Sequence, residues 1–192
     1  MKKAILAFVA ITVLVLNQAT AQNSRTEEAM LENLRSKNLQ NRLPGAAGDV
    51  AETTQEGRAN VSMVQQVQTN TVANQASVLQ VGNYNNAVVQ QNGTGIRATI
   101  GQYGNSNSYE GSLLGNNLSS NVVQQGDNNA VNQHIRGNSL EYSLIQLGNN
   151  NTINQLETTP ASRPYQVVQE GNNMNITIEQ SRGFAPATIQ KQ

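Results

Sequence analysis

The chain of 192 residues contains no cysteine, no tryptophan and a single histidine, His134. Without cysteine there is neither a disulfide framework nor a thiolate metal site. One histidine leaves little room for imidazole catalysis or a multi-histidine metal centre. Charge is sparse and balanced, with 12 basic residues against 12 acidic ones. A nucleic-acid binder would show a basic patch, and none exists. A disordered acidic tail would carry net charge, and this chain does not. What fills the space is amide: 28 asparagines and 22 glutamines, about a quarter of the chain. Such a composition fits either a low-complexity, prion-like segment or a repeat protein.

The only long apolar run lies at the start. Lys2 and Lys3 precede an apolar stretch from Ala4 to Leu16, interrupted only by Thr12, and Ala19-Thr20-Ala21 follows. A short run with a basic leader and a small-x-small site reads as a secretory signal peptide over residues 1–21, cleaved after Ala21. It is too short to serve comfortably as a mature membrane span. Its short apolar region and Ala-x-Ala site look bacterial. Removing Lys2 and Lys3 leaves 10 basic residues facing 12 acidic ones, a mature net charge of −2. Residues 22–48 then form a charged segment, expected to be partly helical. Ser24-Arg-Thr-Glu27 suits a capping box. Glu27, Glu28 and Glu32 come early and Arg35, Lys37 and Arg42 late, which suits a helix dipole. Met30, Leu31 and Leu34 make a partial apolar face, and Pro44-Gly45 ends it. The segment reads as a linker, a targeting element or a cap.

From residue 49 onward one pattern recurs, Gln-x-Gly-x-x-Asn. It begins at Gln55, Gln80, Gln102, Gln124, Gln146 and Gln169, spaced 25, 22, 22, 22 and 23 residues apart. The glycines are Gly57, Gly82, Gly104, Gly126, Gly148 and Gly171. The asparagines are Asn60, Asn85, Asn107, Asn129 and Asn151, and Met174 stands in the sixth copy. A partial seventh copy ends at Gln190. A near-constant period marks stacked repeats, not composition. Two residues before each glutamine stand Thr53, Val78, Ile100, Val122, Leu144, Val167 and Thr188. Four before it stand Ala51, Ala76, Ala98, Ser120, Tyr142 and Tyr165. Seven after it stand Ser62, Ala87, Tyr109, Val131, Ile153 and Ile176. Alternation at period two assigns these to one face of strands. Each repeat therefore reads as strand, tight turn, strand, a hairpin-like unit with glycine at the turn.

One such unit buries too little to fold alone, so the repeats must stack. Stacking forms a core column of Val78, Ile100, Val122, Leu144 and Val167. The six glutamines share the phase of that column. In register, each amide can donate to one neighbour and accept from the other, and the five asparagines can form a second ladder at the turn. The expected fold is all-β: a cross-β stacked solenoid of about six strand-turn-strand repeats with a period of about 22 residues.

This arrangement resembles the curlin repeat of bacterial curli fibre subunits. The family pattern is Ser, five residues, Gln-x-Gly-x-x-Asn-x-Ala, then a second Gln four residues on. First Gln, Gly and Asn match in five copies, and Gln66, Gln91 and Gln180 meet the second Gln. The resemblance spans about residues 49–192. Departures are plain. The leading Ser is replaced by Asp49, Asn74, Ile96, Leu118, Leu140 and Arg163. The second Gln is replaced by Leu113, Ile135 and Glu157, while Gln133 and Gln155 sit two residues earlier. Glu157 to Pro164 holds two prolines, unusual between stacked strands.

The resemblance implies a secreted subunit that crosses the outer membrane unfolded and folds outside the cell on a template. It implies amyloid fibres for adhesion and biofilm matrix. Its partners would be further copies of itself, a companion curlin subunit, and an outer-membrane secretion channel with accessory factors. The choice between major subunit and nucleator stays open. The physics agrees, since open solenoid ends invite a head-to-tail filament. Arg97, Glu110, Asp127, Arg136, Glu141 and Glu170 are scattered and read as outward gatekeepers or plain solvated residues. A monomeric secreted solenoid adhesin shares every feature except polymerisation. An enzyme is not expected, because no carboxylates cluster in a column and His134 lacks a nucleophile partner. No metal, cofactor or nucleic acid is expected. A disordered prion-like chain fits the composition but not the strict period.

Overall fold

The period-two alternation emerges as extended strands in a computed structural model, which describes residues 14–15, 48–158 and 164–181. The predicted signal peptide apart from Leu14 and Val15, the segment 22–48 apart from Gly48, and the partial copy ending at Gln190 lie outside the described residues. Along the chain run β1 (Leu14–Val15), β2 (Val50–Glu56), β3 (Val61–Gln68), β4 (Gln75–Val81), β5 (Asn86–Thr94), β6 (Arg97–Tyr103) and β7 (Ser108–Asn116). They continue with β8 (Ser119–Gln125), β9 (Ala130–Asn138), β10 (Glu141–Leu147), β11 (Thr152–Glu157), β12 (Tyr165–Glu170) and β13 (Asn175–Gln180). No helix occurs among the described residues.

The strands form two parallel sheets. The first runs β1-β2-β4-β6-β8-β10-β12 and the second β3-β5-β7-β9-β11-β13. Each repeat gives one strand to each sheet. This differs from the hairpin-like unit expected from sequence: the two strands of a repeat do not pair with each other. They pair with their equivalents in the repeats before and after, and the glycine turn carries the chain from one sheet to the other. The reason is the interior chemistry. Both strands of a repeat point apolar residues at the same core, so the sheets face each other. The result is a β-solenoid of six rungs, spaced about 4.8 Å apart.

Register follows the repeat without slippage. Val78, Ile100, Val122, Leu144 and Val167 are successive partners in the first sheet. In the second, Ala87, Tyr109, Val131, Ile153 and Ile176 are successive partners. One continuous core joins the two faces and includes these residues with Ile96, Leu113, Leu118, Ile135 and Leu140. Burying each Val, Ile or Leu contributes about 1.5–3 kcal/mol, so stability accumulates along the stack.

The turn has its own geometry. Gly104 has φ +115°, and a Cβ there would collide with the carbonyl oxygen of Gly126 in the next rung. Glycine is needed both for the left-handed backbone and for the close stacking of turn on turn. Two residues later the chain turns left-handed again without glycine, at Ala59, Tyr84, Ser106, Asn128, Asn150 and Asn173. That second reversal costs more for Tyr84 than for an asparagine.

Candidate functional site

The candidate site is the set of amide columns that ties rung to rung. Gln80, Gln102, Gln124, Gln146 and Gln169 are fully buried. Gln55 Nε2 donates to Gln80 Oε1 (2.7 Å), Gln80 to Gln102 (2.8 Å), and Gln102 to Gln124 (2.9 Å). Gln124 donates to Gln146 and Gln146 to Gln169, both at 2.9 Å. Every donation runs toward the C-terminal rung. The second N–H of each amide goes to backbone across the core. Gln80 reaches the Val61 carbonyl (2.9 Å), Gln102 that of Asn86 (2.9 Å), and Gln124 that of Ser108 (3.0 Å). One glutamine thus ties its rung to the next and the first sheet to the second. Both donors of a buried amide are satisfied, as burial requires.

The asparagine column combines a short side-chain ladder, Asn107 Nδ2 to Asn85 Oδ1 (3.2 Å) and Asn129 Nδ2 to Asn107 Oδ1 (3.1 Å), with bonds to backbone. The Oδ1 of Asn60 accepts the backbone N–H of Asn85 (2.9 Å), and Asn85 Oδ1 accepts that of Asn107 (3.0 Å). Asn107 and Asn129 serve the rungs after them in the same way, at 3.1 Å. Each Nδ2 donates forward to a turn glycine carbonyl: Asn60 to Gly82, Asn85 to Gly104, Asn107 to Gly126, Asn129 to Gly148 and Asn151 to Gly171. These bonds measure 2.7–2.8 Å. The asparagines therefore hold the glycine turns in stack. At the sixth rung Met174 keeps only the backbone part, giving its N–H to Asn151 Oδ1 (3.1 Å).

Sequence reasoning missed a third column, three residues after each glutamine. Asn105 Oδ1 accepts the N–H of Asn83 (3.2 Å), Asp127 Oδ1 that of Asn105 (2.8 Å), Asn149 Oδ1 that of Asp127 (2.8 Å), and Asn172 Oδ1 that of Asn149 (2.7 Å). This ladder accepts in the opposite sense along the stack. Asp127, grouped by sequence with the scattered surface charges, belongs to it. Its signal was present, since Asn83, Asn105, Asp127, Asn149 and Asn172 align at the same offset. The other five scattered charges, Arg97, Glu110, Arg136, Glu141 and Glu170, are exposed.

The departures from the family pattern also have places. Gln66 Nε2 donates to Gln91 Oε1 (2.8 Å), and Gln91 reaches the Gln75 carbonyl (2.9 Å). Beyond Gln91 the column turns apolar at Leu113 and Ile135. The leading-Ser column turns apolar at Ile96, in the rung of Leu113, and Leu118, in the rung of Ile135, and stays so at Leu140, whose own rung carries the buried Glu157. In the two rungs of Leu113 and Ile135 a polar pair has been exchanged for an apolar pair. The polar content reappears at Gln133 and Gln155. Gln133 Oε1 accepts from Tyr109 (2.9 Å) and Ser120 (2.7 Å), and Gln133 Nε2 donates to Gln155 Oε1 (2.7 Å). Gln155 Nε2 donates to the Tyr165 hydroxyl (2.7 Å), and Tyr165 packs on Tyr142 with ring centroids 4.7 Å apart. Gly111 makes room for the Tyr109 hydroxyl, where a Cβ would clash. Burial pushes the Tyr109 phenol well above its ordinary pKa, and it does the same to Tyr165.

Among the described residues no group of His, Asp and Glu is placed to hold a metal ion. No helix among them is long and apolar enough to cross a membrane.

A two-sheet parallel solenoid held by in-register amide columns is a stacking scaffold, a class defined by repetition. The family model for the curlin associated repeat matches residues 73–104, from the lead-in of β4 to the turn after β6. That stretch holds Gln80, Gly82, Asn85 and Gln91, the residues on which the curlin resemblance was drawn. Neither the curated proteins nor the solved structures yield a match to the chain.

Proposed function

We propose that this chain is the secreted structural subunit of a curli-like extracellular amyloid fibre, growing by head-to-tail stacking of curlin repeats for adhesion and biofilm matrix. The observation that carries this reading is that the glutamine column runs through all six rungs, from Gln55 to Gln169, with the same rung-to-rung bond at each step. Among the described residues β3 has no partner on its outer side, and β13 none on its own. The outer edge of β2 meets only β1, with Leu14 beside Thr54 and Val15 beside Gln55. Those two residues belong to the predicted signal peptide. Cleavage after Ala21 removes them and frees the β2 edge, so stacking competence arises with maturation. Bare strand edges with scarce charge pair with further copies.

On this reading the protein is not an enzyme and takes no cofactor. It passes through the periplasm and the outer membrane of a bacterium by a dedicated channel with accessory factors, and a companion curlin subunit shares the fibre. The test uses the mature chain, residues 22–192, released from denaturant and followed by thioflavin fluorescence. A sigmoidal rise that preformed fibres accelerate, with a meridional reflection near 4.8 Å, is the expected result. A stable β-rich monomer that neither grows nor seeds would overturn the fibre reading in favour of a monomeric solenoid adhesin.

A further inference from the structure

The two ends of the stack are unlike. In each later rung two turn groups are taken by the asparagine of the rung before: its Oδ1 accepts the N–H at the asparagine place, and its Nδ2 donates to the glycine carbonyl. In the first rung the same two groups are the Asn60 N–H and the Gly57 carbonyl, and no rung precedes them among the described residues. Gln55 and Gln66 each give Nε2 to the next rung, and no described residue donates to either Oε1. All of β2 is half-buried, unlike the inward positions of the middle strands. The edge also accepts a parallel strand, since Leu14 and Val15 pair there with Thr54 and Gln55.

The sixth rung, last of the described ones, is closed on itself. Gln169 is fully buried. It gives Nε2 to the carbonyls of Met174 (2.8 Å) and Thr152 (3.3 Å), where the glutamines before it give one N–H to the next rung. Met174 stands in the asparagine place and has no amide to offer. Residues 181–192 contain no asparagine that could replace it. The place after each ladder glutamine reads Glu56, Val81, Tyr103, Gln125, Leu147 and Glu170, so acids stand there only in the first and sixth rungs. Two copies stacked sixth rung on first, in the register of every internal step, would set Glu170 opposite Glu56 about 4.8 Å away. Like charges directly opposite each other in a sheet are destabilising.

We infer that the edge of the first rung, β2 with β3, is the docking site for the end rung of a different chain. That rung carries the ladder glutamine, an asparagine five residues on, and no acid directly after the glutamine. Its glutamine donates to Gln55 Oε1, its asparagine accepts the Asn60 N–H and donates to the Gly57 carbonyl, and the junction then equals an internal step. A second copy of this chain brings backbone pairing, Gln169 and Gln180 to the edge, but neither asparagine bond, and it adds the acid pair. Copies of the chain therefore stack on one another less tightly than a companion chain seats here. This docking rests on the stacking proposed above and adds which edge is used and what the neighbour must carry.

The absence of cysteine allows the junction to be trapped. Mature chain 22–192 with Glu56→Cys is mixed with the same chain carrying Glu170→Cys, with or without Met174→Asn, and oxidised. Opposite positions on neighbouring strands lie within disulfide reach. Both acids are gone in this pair, so the asparagine is the only variable, and the Met174→Asn chain is the probe for the companion's rung. The expected result is at least 10-fold more mixed disulfide with Met174→Asn, and no gain with Met174→Leu. In chains without cysteine, Glu170→Gln/Met174→Asn should lower the soluble concentration left at the assembly plateau at least 10-fold. Equal disulfide yields with and without Met174→Asn would overturn the proposal. So would a gain matched by Met174→Leu, disulfide formed mainly between two Glu56→Cys chains, or a plateau concentration unmoved by the double substitution. Fibres with equal yields would sink this docking and leave the fibre reading standing. Unequal yields from a chain that forms no fibres would do the reverse.

Discussion

Consider Gln124, in the middle of the ladder, replaced by leucine. The volume is nearly kept, so little cavity forms and the change isolates hydrogen bonding. Three bonds are lost: from Gln102 Nε2 (2.9 Å), to Gln146 Oε1 (2.9 Å) and to the Ser108 carbonyl (3.0 Å). Gln102 keeps its other donation, to Asn86. One N–H of Gln102 and the Oε1 of Gln146 are left buried without partners. Each stranded group costs about 1–3 kcal/mol, and the leucine recovers part of that as apolar burial. The net loss is about 3 kcal/mol. With a slope of about 2 kcal/mol per molar urea, the unfolding midpoint followed by far-ultraviolet circular dichroism falls by about 1.5 M. Gln90→Leu, on an exposed position of the second sheet, serves as control and should stay within about 0.5 kcal/mol. Converting Gln80, Gln102, Gln124 and Gln146 together strands groups only at the ends of the run. Its cost should be well below four times the single one. A Gln124→Leu midpoint equal to that of the parent chain would refute the ladder argument and reduce the glutamine to a spacer.

Seeded elongation should slow more for Gln80→Ala or Gln169→Ala than for Gln75→Ala or Gln192→Ala; equal rates for all four would remove the ladder from growth. Gly104→Ala should lower the urea midpoint by more than 1 M, since it combines a left-handed backbone with a clash against the Gly126 carbonyl; an unchanged midpoint would contradict that geometry. Tyr109 is neutral in the fold with its pKa raised by burial. The unfolded phenol ionises near pH 10, so stability is flat below about pH 10 and falls above it. Tyr109→Phe should make that alkaline loss shallower, and an unaltered slope would argue against a buried phenol.

The repeat made most of the fold legible. A glutamine every 22 residues or so, in phase with a β-branched column, gives the strands, the stacking and the parallel register at once. Pairing within a repeat was not legible, because a hairpin and an arch between two sheets show the same alternation along the chain. What separates them is that both strands aim at one interior, and that appears only when Val122 and Val131 are seen across the same core. The asparagine column was legible in position and, from Asn85 to Asn129, in its side-chain ladder, but its bonds to backbone were not. A short side chain at a turn also lies within reach of backbone, so its oxygen takes a neighbouring N–H as well. The column at Asn83, Asn105, Asp127, Asn149 and Asn172 was missed because its residues sit among many other amides, and composition hid phase. The polar cluster at Gln133 and Gln155 was noted only as a displaced glutamine. Its partners Tyr109, Ser120 and Tyr165 come from other columns, and Tyr109 and Tyr165 from neighbouring rungs.

Those departures from regularity answer a problem that regularity creates. If all six rungs were identical, a shift of the whole stack by one rung would cost only the end contacts, since each ladder bond would find an equal replacement. Register would then be weakly specified, as in any uniform strand array. Here the middle rungs are not interchangeable. Moving β9 onto β5 would set Gln133 beside Val89 in place of Gly111, leaving a buried amide facing an aliphatic side chain. Tyr109 fits only where Gly111 follows two residues later and where Gln133 lies in the next rung to take its hydroxyl. The exchange of Ser and Gln columns for Ile96, Leu118, Leu140, Leu113 and Ile135 does the same on the other side of the core. Each such mismatch costs about 1–3 kcal/mol, and several occur together, so slipped stacks lie well above the native one. The uniform columns bind any rung to any other, and the irregular ones decide which rung it is. On the fibre reading proposed above, the chain needs both: uniform columns by which a further copy can continue the stack, and individuality in its middle so that each copy folds one way first.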